Sequence, residues 1–191
     1  MATTNRIVDF EASHSTCAGL ASVISLVRGG CRIEIRPIQP ADEDRMVRFH
    51  RGLSERSVYM RYFESLSLPV RTAHPRLSRI CFVDPARETV LVALSRDAKS
   101  GEQEIVGVGR LNKVENTNKA ELAVLVLDKS QGCGVGTALV LQLIQVARAQ
   151  NILHIEAEML RDNTAMQRVL KKCDFHLRLV DPRTVRAARN L

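Results

Sequence analysis

Short runs rich in apolar residues along the chain predict β-strands, and in the first of them apolar and polar residues alternate, as in a strand with one buried face. The first of these runs spans residues 31–37. Three more runs follow one another, at residues 89–94, 104–111 and 120–127. Because only short turns separate these three runs, we expect them to be antiparallel neighbours.

Other segments place their apolar residues at helical spacing. These segments predict helices at residues 41–52, 54–63, 76–82, 137–150 and 164–172. Further strands are predicted at residues 152–159, 175–180 and 184–189. A helix separates the strands at 120–127 and 152–159, so these two should be parallel. The order predicts an α/β (α+β) fold, with a mixed central sheet and helices on both faces, in one domain over residues 31–191.

Residues 1–30 differ from the rest of the chain. The first sixteen are polar and lack clear periodicity, whereas helical spacing relates Leu20, Val23, Ile24 and Val27. We expect an N-terminal arm, partly helical, that is ordered where it packs on the domain or on a partner chain. A regulatory or dimerising role, as in a homodimer, is the alternative.

The net charge favours a polyanionic partner. The 191 residues carry a formal net charge of +7, which an acidic cofactor, an acidic protein or nucleic acid would complement. Nucleic acid is disfavoured, because the two Tyr and five Phe do not interleave with basic residues.

Cysteine and histidine spacing gives no sign of a metal site or a disulfide framework. The five cysteines form no C-x-x-C pair and the five histidines form no spaced cluster. Free thiols are typical of a reducing compartment. No apolar run reaches the ~18 residues of a membrane span, and no secretory signal is recognised. We therefore predict a cytoplasmic protein with no metal and no membrane partner.

Three alternating glycines, Gly132, Gly134 and Gly136, separate an apolar strand from a helix. Glycine lets the backbone approach a ligand closely, and the helix start offers free N–H groups and a positive dipole end. Together they predict an anion site, most often for a phosphate or pyrophosphate. No Gly-Lys pair occurs, which excludes a P-loop, and no G-x-G-x-x-G is completed. Three antiparallel strands before the loop also disfavour a dinucleotide domain.

The spacing that fits is Q/R-x-x-G-x-G/A, read as Gln131-Gly132-Cys133-Gly134-Val135-Gly136. With Asn163-Thr164-Ala165-Met166 and Lys172-Cys173-Asp174-Phe175, it resembles the GNAT family of N-acetyltransferases over about residues 33–189. Residues 54–63 resemble the GNAT domains of bacterial protein-lysine acetyltransferases. The resemblance implies a GNAT fold of six or seven strands with splayed central parallel strands, and acetyl-CoA as the cosubstrate.

The resemblance also implies which residues contact acetyl-CoA. The pyrophosphate would lie on backbone N–H groups of Gln131, Gly132, Cys133, Gly134, Val135, Gly136 and Thr137. The pantetheine amides would face Leu125, Val126 and Leu127, and the remaining contacts would come from Asn163 and Phe175. Asn163 is equally well placed to cap the helix that follows it. Candidates for added positive charge are Lys129, Arg148 and Arg168.

Acetyl transfer to an amine needs a neutral nucleophile, and a lysine amine with a pKa of about 10.4 is protonated at pH 7. Glu121 matches the position of the base in the protein-acetylating relatives, and a solvent-facing Glu without a catalytic role is the alternative. A backbone N–H near Val126 is the expected oxyanion donor. Many GNAT enzymes have a tyrosine where this chain has Leu170, which puts a tyrosine general acid in doubt.

The predicted function is transfer of an acetyl group from acetyl-CoA to a primary amine, with protein lysine as the leading acceptor. Cys133 lies a pantetheine length from the thioester, so we expect direct transfer in a ternary complex. Two alternatives stay open: a small-molecule amine acetyltransferase, and a non-catalytic CoA-binding sensor domain. Residues 43–83 build the acceptor site, and their sequence does not name the acceptor.

Overall fold

The computed structural model describes residues 23–26, 32–96 and 101–191, with side chains for residues 32–96 and 101–191. Within these residues one sheet contains the strands β1 (Val23–Leu26), β2 (Arg32–Pro37), β3 (Glu88–Arg96), β4 (Gln103–Lys113), β5 (Lys119–Val126), β6 (His154–Leu160), β7 (His176–Leu179) and β8 (Thr184–Asn190). Their spatial order is β1-β2-β3-β4-β5-β6-β8-β7.

Helices cover both faces of this sheet. They are α1 (Glu43–Arg51), α2 (Glu55–Tyr62), α3 (Leu68–Arg71), α4 (His74–Cys81), α5 (Val135–Ala149) and α6 (Thr164–Lys172). A Cβ added to Gly107 of β4 would lie 2.9 Å from side chains of Val135 and Leu139, so α5 packs directly on this face. The next residue, Val108, faces the opposite side with residues of α1, α2 and α4.

The predicted topology is confirmed. Strands β2 to β5 form an antiparallel meander, and β5 pairs with β6 in parallel. The fold class is therefore the predicted α/β arrangement with splayed parallel strands. Most helix bounds lie within two residues of their predicted positions, and α4 begins earlier because Pro75 is tolerated in its first turn.

The sheet contains one strand more than the six or seven expected. Val23–Leu26 pair antiparallel with β2, so the helix expected around these residues is wrong for the four that are described. Valine and isoleucine favour extended backbone, and so short an apolar run does not distinguish helix from strand. The rest of the expected N-terminal arm lies outside the described residues, and its boundary at residue 31 stays a prediction.

A buried ion pair precedes α1. The carboxylate of Asp42 is inaccessible to solvent and accepts hydrogen bonds from Arg36 Nη1 at 2.7 Å, Arg36 Nη2 at 2.8 Å and Gln39 N at 2.9 Å. Burial alone would raise the pKa of Asp42, but the hydrogen bonds from Arg36 and Gln39 hold it below its ordinary value. This pair fixes the start of a helix that covers the sheet.

We expect the Asp42 pair to make folding sensitive to acid. A lowered folded-state pKa stabilises the domain above the unfolded value of about 3.9, and this contribution is lost as the pH falls through the folded value. Arg36→Met should lower the free energy of unfolding at pH 7 by about 3 kcal/mol and remove much of this acid-sensitive contribution. Urea unfolding at pH 7 and pH 3.5 would measure both effects. Equal acid sensitivity of the two proteins would contradict the assignment.

Candidate functional site

The two parallel strands of the sheet separate after a short paired segment. Their register pairs Lys119, Ala120 and Glu121 of β5 with His154, Ile155 and Glu156 of β6 and ends there. Beyond Glu121 the strand β5 continues to Val126, and β6 continues to Leu160. The result is a wedge-shaped opening between the strands, with Glu121 at its apex.

A cavity of about 720 Å³ occupies this opening. Strand β5 and the glycine loop form its floor, α6 with the two residues before it forms one wall, and α2 forms the other. The α6 wall extends from Thr164 to Lys172.

The glycine loop forms an anion cradle at the wide end of the cavity. Gly132 has φ of 75° and Gly134 has φ of 101°, which are backbone conformations that favour glycine. Gly134 is also the N-cap of α5, a helix of 15 residues. The free N–H groups of the first turn, at Val135, Gly136 and Thr137, therefore meet the positive end of the helix dipole at this point.

The edge of β5 offers backbone groups to the cavity. Leu127 N donates to Val106 O at 2.9 Å, towards β4. Alternate residues of an antiparallel strand direct their backbone groups to opposite sides, so the N–H groups of Val124 and Val126 point into the opening. The Val126 carbonyl accepts a hydrogen bond from Gln131 Nε2 at 3.1 Å, which agrees with this direction.

Glu121 is exposed at the narrow end of the cavity and does not line it. Its side chain shares a face of the sheet with Ala123 and Leu125, the face that α2 covers. The nearby Arg186 has its pKa raised, first by its hydrogen bond with Glu158 and then by other carboxylates that include Glu121. Glu121 thus stands at the edge where the cavity opens towards α2.

Residues 32–176 of the sequence match a protein-family model that is described as Acetyltransferase (GNAT) domain. The chain belongs to the GNAT acetyltransferase family. It is an acyltransferase domain whose cosubstrate is acetyl-CoA. This confirms the family and cosubstrate predicted from the glycine loop and the segments that follow it.

Solved GNAT structures agree with this assignment. The GNAT domain of S. lividans PAT has a TM-score of 0.77 and 27% identity, covering 89% of this chain and 97% of that chain. An N-acetyltransferase PaiA from Thermoplasma acidophilum, in complex with coenzyme A, shares the fold at a TM-score of 0.65 and 18% identity, covering 83% of this chain and 99% of that chain.

A longer relative carries the same domain. Acetyltransferase Pat from Mycolicibacterium smegmatis is 27% identical over 150 residues, which are 76% of this chain and 42% of that protein. The chain therefore spans less than half the length of this relative.

Eight of the twelve cofactor-binding residues predicted for the GNAT domain line the cavity. They are Leu125, Val126, Gln131, Gly132, Gly134, Gly136, Thr137 and Asn163. Asn163 Oδ1 also accepts a hydrogen bond from Met166 N at 3.1 Å, so the same side chain caps α6. The two interpretations of Asn163 are therefore compatible.

The structure does not bring the other four side chains to the cavity. Leu127, Val135 and Phe175 are buried in the core, with exposed fractions of 4%, 2% and 4%. Val135 faces Gly107, and Leu127 faces Gly52. The Cys133 thiol is directed at its own loop, where Sγ donates to Gln131 O at 3.6 Å. Successive side chains of a strand face opposite sides, and the sequence motif alone does not show which side chains face the cavity.

Four cations line the cavity: Arg56, Arg61, Arg168 and Lys172. Of the three candidates from the sequence, only Arg168 is among them, while Lys129 Nζ binds Glu104 at 2.7 Å and Arg148 is not in the lining. The other three were not singled out by the sequence. Lys172 follows Arg168 by four residues on α6, a spacing that places both on one helix face.

A hydrogen-bond network ties α2 to the glycine loop. Asp128 accepts from Ser54 N at 2.9 Å, Ser54 Oγ at 2.6 Å and Ser57 Oγ at 2.9 Å. Gln131 Nε2 donates to Ser57 Oγ at 3.1 Å. Burial would raise the pKa of Asp128, but the bonds from the two serines hold it below its ordinary value. The network thereby holds α2 at a fixed distance from the glycine loop.

Asp128→Ala should raise the KM for acetyl-CoA about fivefold, because an α2 wall without its anchor must be ordered when the cofactor binds. Steady-state kinetics would measure the change. Asp84→Ala is a matched control, since Asp84 Oδ1 also accepts a backbone hydrogen bond, from Ala86 N at 2.9 Å, and is absent from the cavity lining. A KM that changes equally in both variants would contradict the role of the network.

Metal and membrane features can be stated for the described residues. No group of three or more His, Cys, Asp and Glu side chains lies close enough there to hold a metal ion. None of the helices described is both long and apolar enough to cross a membrane.

Proposed function

We propose that this chain transfers the acetyl group of acetyl-CoA to the ε-amino group of a protein lysine, by direct attack within a ternary complex. The observation that carries the proposal is a cavity that contains the glycine loop and follows β5 from Val126 to Val124, on the strand whose pairing with β6 ends at Glu121. Membership of the GNAT family supports transfer of an acyl group from acetyl-CoA to an amine.

In this proposal the cofactor lies along the edge of β5. Its pyrophosphate binds the free N–H groups at the start of α5, and its pantetheine arm follows the strand from Val126 towards Glu121. At a rise of about 3.3 Å per residue, these two residues are about 17 Å apart, which is comparable to an extended pantetheine arm. The thioester would then lie towards the Glu121 end of this edge, where the N–H of Val124 is nearer than that of Val126 and serves as the oxyanion donor.

Glu121 acts as the general base. The acceptor amine is protonated at neutral pH, and Glu121 takes its proton directly or through water. The amine lone pair then attacks the thioester carbon, whose π electrons move to oxygen. Collapse of this intermediate breaks the C–S bond, and the electron pair leaves with sulfur as the CoA thiolate, while the nitrogen loses its second proton to solvent and becomes the neutral amide. The thiolate finally takes a proton from solvent.

The acceptor would reach this site between α2 and the turn that joins β7 to β8. Arg183 Nη2 in this turn donates to Tyr59 Oη of α2 at 3.2 Å. Leu179 and Val180, next to the turn, are 57% and 47% exposed. Apolar side chains beside the entrance favour a protein acceptor, because they offer contact surface that a small amine would not use. Similarity to Pat supports the same choice.

We infer a cytoplasmic location from the thiols. Cys81, Cys133 and Cys173 are free, which is typical of a reducing compartment. Burial raises the pKa of Cys81 and of Cys173 to about 11, so both stay protonated and unreactive. The homodimer suggested by the N-terminal arm stays a prediction.

Mass spectrometry of a cell lysate tests the proposal. The lysate is incubated with the protein and isotope-labelled acetyl-CoA, in parallel with Glu121→Gln as the control. Label on protein lysines that only the unaltered protein produces is the expected result. Label confined to small amines would identify a small-molecule acetyltransferase. CoA binding without label on any amine would identify a sensor domain and overturn the proposal.

A further inference from the structure

Arg61 lies where α2 meets the reaction cleft. Its half-buried side chain lines the main cavity together with Val124 and Leu125 of β5. It also lines a second cavity of about 20 Å³ that lies behind the first, over the same strand at Ala123 and Leu125. Glu121 shares this face of β5, so Arg61 lies on the same side of the strand as the proposed base.

Within the described residues the guanidinium of Arg61 forms no ion pair, although the carboxylate of Glu88 acts on its charge from further away. Its Cζ lies 5.0 Å from the centroid of the Tyr62 ring. The neighbouring Arg110 is bonded to Glu88, and the buried Arg71 is bonded to Glu55 at 3.0 Å. Arg61 is therefore a cation of the cavity lining that is available to a ligand.

Charges of both signs act on Arg61, and the cations outnumber the carboxylates. Burial is the largest influence and lowers the pKa of Arg61, Tyr62 raises it, Arg110 and Arg76 lower it, and Glu88 raises it. His50 is 1% exposed with both ring nitrogens unpartnered, and its pKa is lowered to about 4 by burial and by two arginines, so it is neutral. An anion in the cleft would relieve this excess of positive charge.

We propose that the guanidinium of Arg61 stabilises the negative charge that forms during acetyl transfer, first on the thioester oxygen and then on the leaving sulfur of CoA. This role rests on the function proposed above. A half-buried cation that is already in place needs little rearrangement as charge develops, which is how such groups accelerate reactions. Arg61 would be a catalytic residue, acting beside the backbone oxyanion donor.

The lining of the cleft explains why such a cation is needed. None of the described residues that line the main cavity is a tyrosine, and Leu170 is fully buried where many GNAT enzymes have one. With no phenol to donate a proton, the sulfur must leave as a thiolate. A nearby guanidinium lowers the energy of that thiolate without a proton transfer.

Two variants and two measurements test this role. Arg61→Met removes the charge and keeps much of the length, while Arg61→Lys keeps a charge without the planar fork. We expect Arg61→Met to lower kcat about 100-fold, to leave the Kd for CoA within about threefold, and to be partly rescued by Arg61→Lys. The second measurement is the ionisation of the CoA thiol in the complex, followed by the ultraviolet absorbance of the thiolate.

The thiol should ionise at least about one pH unit lower when bound to the unaltered protein than in free CoA, and this shift should disappear in Arg61→Met. Arg56→Met, which removes another cation of α2 from the cavity, should weaken CoA binding and keep the shift. An unchanged thiol pKa in Arg61→Met would overturn the proposal, and circular dichroism and calorimetric CoA binding verify that each variant is folded. Because this titration needs no acceptor, it still decides the role of Arg61 if the protein modifies no lysine.

Discussion

Glu121→Gln should lower kcat by about 10²- to 10⁴-fold, because the amide cannot accept the proton of the acceptor amine. The Kd for acetyl-CoA should stay within about twofold, since Glu121 lies at the apex of the opening and outside the cavity lining. Steady-state kinetics with a lysine-containing acceptor and calorimetry with CoA would separate the two effects. This is the largest effect that we expect from any single substitution in the domain.

The matched control is Glu156→Gln, which removes a carboxylate from the residue directly opposite Glu121 across the parallel pair. Glu156 binds His154 Nε2 at 3.0 Å on its own strand. We therefore expect Glu156→Gln to keep kcat within about threefold, in the range of surface substitutions away from reacting atoms. Equal losses in the two variants would mean that the local charge, and not a base at Glu121, supports the reaction.

Gly134→Val should weaken the binding of CoA about 100-fold. A β-branched residue at φ of 101° is strained by about 1–3 kcal/mol, and relief of this strain would turn the first N–H groups of α5 away from the phosphates. Calorimetric titration with CoA measures the loss directly. Thermal unfolding without CoA would report the strain by itself.

Gly101→Val is the matched control, because Gly101 also has a positive φ, of 72°, and a Cβ added there would meet nothing within 4 Å. Gly101 lies just before β4 and is absent from the cavity lining. The Gly101→Val variant should lose a similar free energy of unfolding and keep its affinity for CoA. If both variants bound CoA equally well, the cradle at Gly134 would not hold the phosphates.

Local signals in the sequence were enough to predict the antiparallel strands β3 to β5, the parallel pairing of β5 with β6, and most of the loop and strand residues that line the cavity. Glycine at positions 132 and 134 is required by the backbone itself, and the apolar run before them is a strand whatever surrounds it. Asn163 caps α6 by accepting a hydrogen bond from the N–H of Met166, three residues further along the chain, so its position also follows from local rules.

The α2 side of the cleft was not predictable in this way. Ser54 and Asp128 are 74 residues apart, and only folding brings their side chains together. In the sequence Arg61 is one of many arginines, and no neighbouring residue indicates that its side chain forms no ion pair or that it lines two cavities. Pairing of Val23–Leu26 with β2 is likewise decided by the neighbouring strand rather than by the four residues themselves.

The short parallel pairing of β5 with β6 has a consequence for how well the protein resists proteolysis in the cell. Only three register pairs join β5 to β6, so the free domain lacks the hydrogen bonds that would close its sheet beyond Glu121. A bound cofactor occupies that gap, and at 100 times its Kd it adds about 2.7 kcal/mol to the free energy of unfolding. Because a typical domain has a total of about 5–15 kcal/mol, the fraction open to proteases would fall as acetyl-CoA rises. Binding of acetyl-CoA would thus slow proteolysis of the domain.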